Sequence, residues 1–95
     1  MSAPARMTDP ATSHVARPSA ARRNLVRDAV IVAHRHRPMT GLTDAELSDL
    51  LPDITPGSLV KRRGELVADG LLEDSGMRRP VPRTGRAAIV WRVVA

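Results

Sequence analysis

The sequence predicts a mainly α domain closed by a small antiparallel β-hairpin, and three observations carry that reading. Two short helical segments, each with start and stop signals, are separated by only three residues beginning at Pro52. An earlier amphipathic stretch over residues 20–35 supplies another helix. The chain then ends in AAIVWRVV, a β-branched run that follows a basic, Pro- and Gly-bounded stretch and reads as the second strand of a hairpin.

Residues 1–18, MSAPARMTDPATSHVARP, contain three Pro and no sustained periodicity, so they read as a disordered arm ahead of one domain over residues 19–95. Arg6 and Arg17 are its two bases; they either make no specific contact or reach along a phosphate backbone or into a minor groove. Ser19 is placed to cap a helix from Ala20 to Arg35. Leu25, Val26, Ala29, Val30, Val32 and Ala33 form a broad apolar stripe on it, either core throughout or partly a homodimer seam. Arg22, Arg23 and Arg27 lie opposite. His34 and His36 are two residues apart and cannot share a metal from one helix; with His14 they read as surface residues.

Pro38 ends that helix, and residues 39–42 form a connector able to make a brief strand. Thr43-Asp44-Ala45-Glu46 is a capping box. It opens a short helix whose apolar face is Leu47, Leu50 and Leu51. Pro52-Asp53-Ile54 is a tight turn, with Ile54 expected to plug the core. Thr55 then caps a further helix, Pro56 fits its first position, and Gly70 supplies the left-handed stop. Helix, three-residue turn, helix is the helix-turn-helix arrangement.

On a wheel, Leu59, Val60, Leu66 and Val67 of this last helix share one face, while Ser58, Lys61, Arg62, Glu65 and Asp69 share another. The polar face is basic in its first half and acidic in its second, so a polyanion is welcome only near the N-terminal end, where the helix dipole adds to the attraction. Arg63 projects into the middle of the apolar face. An unpaired buried guanidinium is strongly destabilising, so a partner is expected among Asp44, Glu46 and Asp49, the alternative being that the side chain snorkels along its own stem to water. Beyond Gly70, Leu71 and Leu72 begin a strand expected to fail at Glu73-Asp74-Ser75-Gly76. The loop MRRPVPRTGR carries Arg78, Arg79, Arg83 and Arg86 and is expected to protrude and move.

Trp91 is the only aromatic residue, so the core must be aliphatic. The net charge of +5 points to an anionic partner. Fourteen of the fifteen bases are Arg, a bias that GC-rich codons explain as readily as phosphate recognition does. Charge alternates in blocks: residues 19–42 hold five Arg and one Asp, residues 43–54 four acids and no base, residues 75–86 four Arg and no acid. There is no cysteine, no run of membrane-span length, no Gly-rich phosphate loop and no ligand-spaced His/Asp/Glu cluster. Neither an enzyme, a metal, a cofactor nor a small-molecule substrate is expected, and the expected location is cytoplasmic, in a bacterial or phage-infected cell.

LTDAELSDLLPDITPGSLVKRRGELVADGLLEDSG and GRAAIVWRV together resemble the winged helix-turn-helix family, especially its compact bacterial and bacteriophage DNA-binding members, over residues 20–95. The resemblance implies a three-helix bundle plus wing. It places the recognition helix, residues 55–69, in the major groove and the wing, residues 75–86, on the backbone of double-stranded DNA. Ser58, Lys61 and Arg62 match exposed positions at the start of the recognition helix, Thr55 and the amides after it a phosphate site, and Arg78, Arg79, Arg83 and Arg86 the wing. Such a protein is a small transcriptional regulator or accessory DNA-binding factor. The alternative is a protein-interaction module using the apolar face of helix 20–35 around Val26 and Val30; RNA binding lacks an aromatic platform. The second helix is more acidic than usual for the family, so Asp44 and Asp49 are expected to face away from DNA or to pair with Arg. Gly64 costs its helix about 1 kcal/mol relative to Ala, for which close packing on a neighbouring helix is one reason.

Overall fold

The computed structural model describes residues 19–95; the disordered-arm reading of residues 1–18, with Arg6, His14 and Arg17, lies outside them. Three helices, α1 (Ala20–Arg35), α2 (Asp44–Leu50) and α3 (Pro56–Ala68), precede a two-stranded antiparallel sheet of β1 (Leu72–Pro80) and β2 (Ala87–Val93). Each expected cap forms. Ser19 Oγ accepts from Arg22 N at 3.1 Å, and Thr43 and Glu46 exchange both bonds of the capping box. At the end of α3, Gly70 adopts φ 80°, with Gly70 N donating to Val67 O and Leu71 N to Leu66 O. These two bonds satisfy carbonyls that the helix end would otherwise orphan.

The core is aliphatic. Val26, Val30 and Ile31 of α1, Leu42, Leu47 of α2, Leu59 and Leu66 of α3, and Leu72 of β1 form one cluster, with Ile54 and Leu51 packed against it from the turn. Val26 and Val30 are therefore interior, which removes them as the contact surface expected for an interaction module. The large apolar residues that α1 leaves outside are Leu25, 65% exposed, and Val32, 47% exposed. His34 also lies inside, at 1% exposure, correcting its reading as a surface residue. It falls four residues after Val30 on the buried stripe. Its Nδ1 sits 2.8 Å from Val30 O, so Nδ1 carries the proton and donates, while buried Nε2 has no partner among the described residues.

The hairpin differs most from expectation. β1 does not stop at residues 73–76; it continues to Pro80 through a bulge in which Ser75, Gly76 and Met77 stand opposite Val90 alone. Asp74 Oδ1 accepts from Gly76 N at 2.8 Å, and Ser75 Oγ accepts from Met77 N at 3.1 Å, so turn-forming side chains satisfy the bulged backbone and let pairing resume. The connection shrinks to residues 81–86 and is internally bonded. Val81 N donates to Arg86 O, Thr84 N and Gly85 N both donate to Val81 O, and Arg86 N donates to Thr84 Oγ1. Arg78 and Arg79 consequently belong to β1, not to a protruding loop.

The connector before α2 does form its brief strand contact: Leu42 and Trp91 exchange backbone bonds of 2.9 and 2.8 Å. Gly41 makes this approach possible. At its φ of 66° a Cβ would stand 2.6 Å from Val90 Cγ1 and 2.7 Å from Trp91 O, so no other residue fits. No helix among the described residues is long and apolar enough to cross a membrane.

Candidate nucleic-acid interface

α3 is turned relative to the face that its apolar residues alone define. The buried stripe is Leu59, Arg62 and Leu66, whereas Val60 is 41% exposed. Arg62 is therefore corrected from an exposed base-reading residue to a buried one, 7% exposed, with a terminal nitrogen 3.0 Å from Glu65 and no partner for Nε among the described residues. Neighbours set the turn. Arg27 of α1 pairs with Asp69 and lies 3.9 Å from Glu65, which draws the acidic edge of α3 toward α1.

Arg63 keeps the partner sought for it. Its Nε and a terminal nitrogen reach the two carboxylate oxygens of Asp44 at 2.9 and 2.7 Å, a bidentate pair. Its guanidinium also stacks 4.2 Å from the Trp91 ring centroid. Glu46, the second candidate, is taken by Arg79 instead, whose Nε and terminal nitrogen bond its carboxylate at 3.0 and 2.7 Å. Arg79 holds the Glu46 carboxyl below the usual carboxylate range, and Glu46 in turn raises Arg79. The Arg79 terminal nitrogens further donate to Thr40 O and Gly41 O, both at 3.1 Å. This expected wing residue is thus a staple between β1 and the α1–α2 connector. Arg78 is half-exposed but bonded to Asp74 at 3.0 Å; the Gly76 backbone N–H first, then Arg78, lowers the Asp74 pKa. No partner of Asp49, the third candidate, is found among the described residues.

The arginines therefore divide. Arg27, Arg62, Arg63, Arg78, Arg79 and Arg92 spend their charge on carboxylates of the fold. Of the expected contact residues, Lys61 of α3 and Arg83 and Arg86 of the hairpin turn remain exposed, with no carboxylate partner among the described residues. Arg22 and Arg35 of α1 are exposed likewise. Thr55 and Ser58 are engaged with each other: Thr55 Oγ1 accepts from Ser58 N at 3.4 Å and donates to Ser58 Oγ at 3.0 Å. They hold the start of α3 in place.

Between α2, the first half of α3 and the hairpin turn runs a groove of about 440 Å³. Ala45, Pro56, Val60, Val81 and Pro82 line it with apolar surface, and Arg83, Asp44 and Asp49 are its charged lining residues. Because Asp44 is neutralised by Arg63, Asp49 is the acid that opposes an anion here. Sequence reasoning missed Val60 as an outward residue, since hydrophobicity alone assigns it inward; only the packing of α1 on the other side of α3 reveals it. No metal-holding group of three or more His, Cys, Asp or Glu occurs among the described residues. No family model, curated protein or solved structure matches the chain.

Proposed function

We propose that this chain is a sequence-preferring double-stranded DNA-binding protein of winged helix-turn-helix type, a small cytoplasmic regulator or accessory factor. In this reading α3 enters the major groove and the β1–β2 turn rests on the backbone. The observation that carries it is the segregation of charge: Lys61 on α3 and Arg83 and Arg86 on the hairpin turn stay exposed without a carboxylate partner among the described residues, while Arg62, Arg63, Arg78 and Arg79 are neutralised within the fold. A phosphate backbone gains from the first group and nothing from the second.

Titration of duplex DNA by fluorescence anisotropy from low to moderate salt tests this. Each of Lys61→Ala, Arg83→Ala and Arg86→Ala is expected to flatten the slope of log affinity on log salt by roughly 0.9, the counterion release of one phosphate contact. Arg78→Ala leaves the slope unchanged. Salt-insensitive binding, or a triple variant as tight as wild type, overturns the proposal.

A second reading has one observation in its favour. Leu25 and Val32 lie two turns apart on the outer side of α1, which suits an interaction module or homodimer. Sedimentation that gives a monomer at high concentration, unchanged by Leu25→Glu, removes the homodimer.

A further inference from the structure

α3 carries two glycines inside a regular helix, and neither is explained by packing. A Cβ added at Gly57 or at Gly64 meets nothing within 4 Å, so the expected close approach of a neighbouring helix at Gly64 is absent. Gly64 lies mid-helix, where glycine weakens a helix relative to alanine. The fold accepts that weakness with no internal contact in return. Residues 57, 60, 61, 64 and 68 fall on one stripe, and Gly57, Val60, Lys61 and Ala68 on it are exposed, Gly64 half so. The outward face of α3 is thus a shallow furrow with one branched apolar side chain and one cation, and it holds no carboxylate. The acids of α3, Glu65 and Asp69, are drawn aside by Arg62 and Arg27.

We infer that this face reads the major groove by close approach and by a thymine 5-methyl group, with Val60 touching the methyl and Lys61 as the cation beside it. The inference rests on the DNA-binding reading above and deepens it. Missing side chains at 57 and 64 let the helix axis sit nearer the base edges. Val60 then meets the one apolar group the major groove displays, the thymine methyl. Its β-branched side chain is stiff at χ1, so little freedom is lost on contact. The open charges of Lys61, next to Val60 on α3, and of Arg83, which shares a groove with Val60, favour DNA over an apolar helix of another protein.

The test starts from duplexes selected by the wild-type protein from a random pool. Each thymine of the selected site is replaced singly by deoxyuridine, which removes only the methyl. One position is expected to weaken wild-type binding about fourfold, the loss of one buried methyl, and to leave Val60→Ala binding unchanged. Gly64→Ala is expected to raise the melting temperature while weakening binding on the order of tenfold, the cost of overfilling a tight contact. A purely structural glycine cannot move those two readings in opposite directions. If deoxyuridine is neutral everywhere, or Gly64→Ala binds as wild type does, the inference is overturned and DNA binding itself stands. If Gly64→Ala instead abolishes self-association, the furrow belongs to a second copy of the chain and the inference is likewise overturned. If wild type enriches no duplex, both fall.

Discussion

Arg62 and Arg63 are neighbours of identical chemistry with opposite surroundings. Arg63 was legible in the sequence, because a cation centred among Val60, Leu59, Leu66 and Val67 demands a counter-charge and the preceding helix offers acids. Arg62 was not, because a wheel cannot tell that α1 covers its side of α3. The Arg63–Asp44 pair is only partly shielded, with side chains 15% and 33% exposed, so its Coulomb term is screened. A double-mutant cycle with Arg63→Met and Asp44→Asn, followed by urea unfolding, is expected to give a coupling of about 1 kcal/mol. Arg63→Ala should cost more, since it also uncovers Trp91 and forfeits about 0.5–1 kcal/mol of cation–π attraction. Its Trp91 fluorescence should change as well, and full stability in Arg63→Ala would show that the pair holds nothing.

Among the elements, the hairpin decides what the wing is. Local residues promised a strand end at Asp74-Ser75-Gly76; instead these residues close a bulge on themselves, and the ladder resumes for Arg78, Arg79 and Pro80. That extension carries Arg79 onto Glu46 and the connector carbonyls, and leaves only Arg83 and Arg86 at the turn. Arg79→Ala is therefore expected to lower unfolding stability by about 1–2 kcal/mol, the range for charge-assisted hydrogen bonds discounted for a partly exposed pair. Arg83→Ala should change it by less than about 0.5 kcal/mol. Thermal unfolding of the two variants side by side separates staple from contact residue, and equal losses contradict the division.

For the molecule as a whole, proton binding links its buried and paired groups to stability. Burial pushes the His34 imidazole below its ordinary value of 6.5, so the folded chain binds fewer protons than the unfolded chain just below that pH. Stability is then full above about pH 6.5 and declines as the pH falls toward the folded pKa, with a slope of up to about 1.4 kcal/mol per pH unit. Glu46, lowered by Arg79, and Asp74, lowered by the Gly76 N–H, act in the same direction at lower pH. Their contribution is present above the ordinary carboxylate range and is lost as the pH drops through their folded values. Urea unfolding from neutral to acidic pH should show two successive losses. His34→Leu is expected to erase the first and keep the second; an unchanged first loss means that His34 is not its source.

The sequence by itself determined the helices, their caps, the three-residue turn, the aliphatic core and the need of Arg63 for an acid. Each of these follows from local propensity, from periodicity, or from the cost of burying a charge without a partner. The tertiary structure alone decided which of three acids answers Arg63 and that Glu46 belongs to Arg79. It also decided that His34 and Arg62 turn inward, and that Val60, between two unpacked glycines, faces out. The reason is physical: helical periodicity sets the angles between side chains on one helix, whereas the direction in which that set points depends on where α1 and the hairpin pack. The nearest carboxylate to each arginine is likewise a matter of distance between elements, which residue spacing along the chain does not encode.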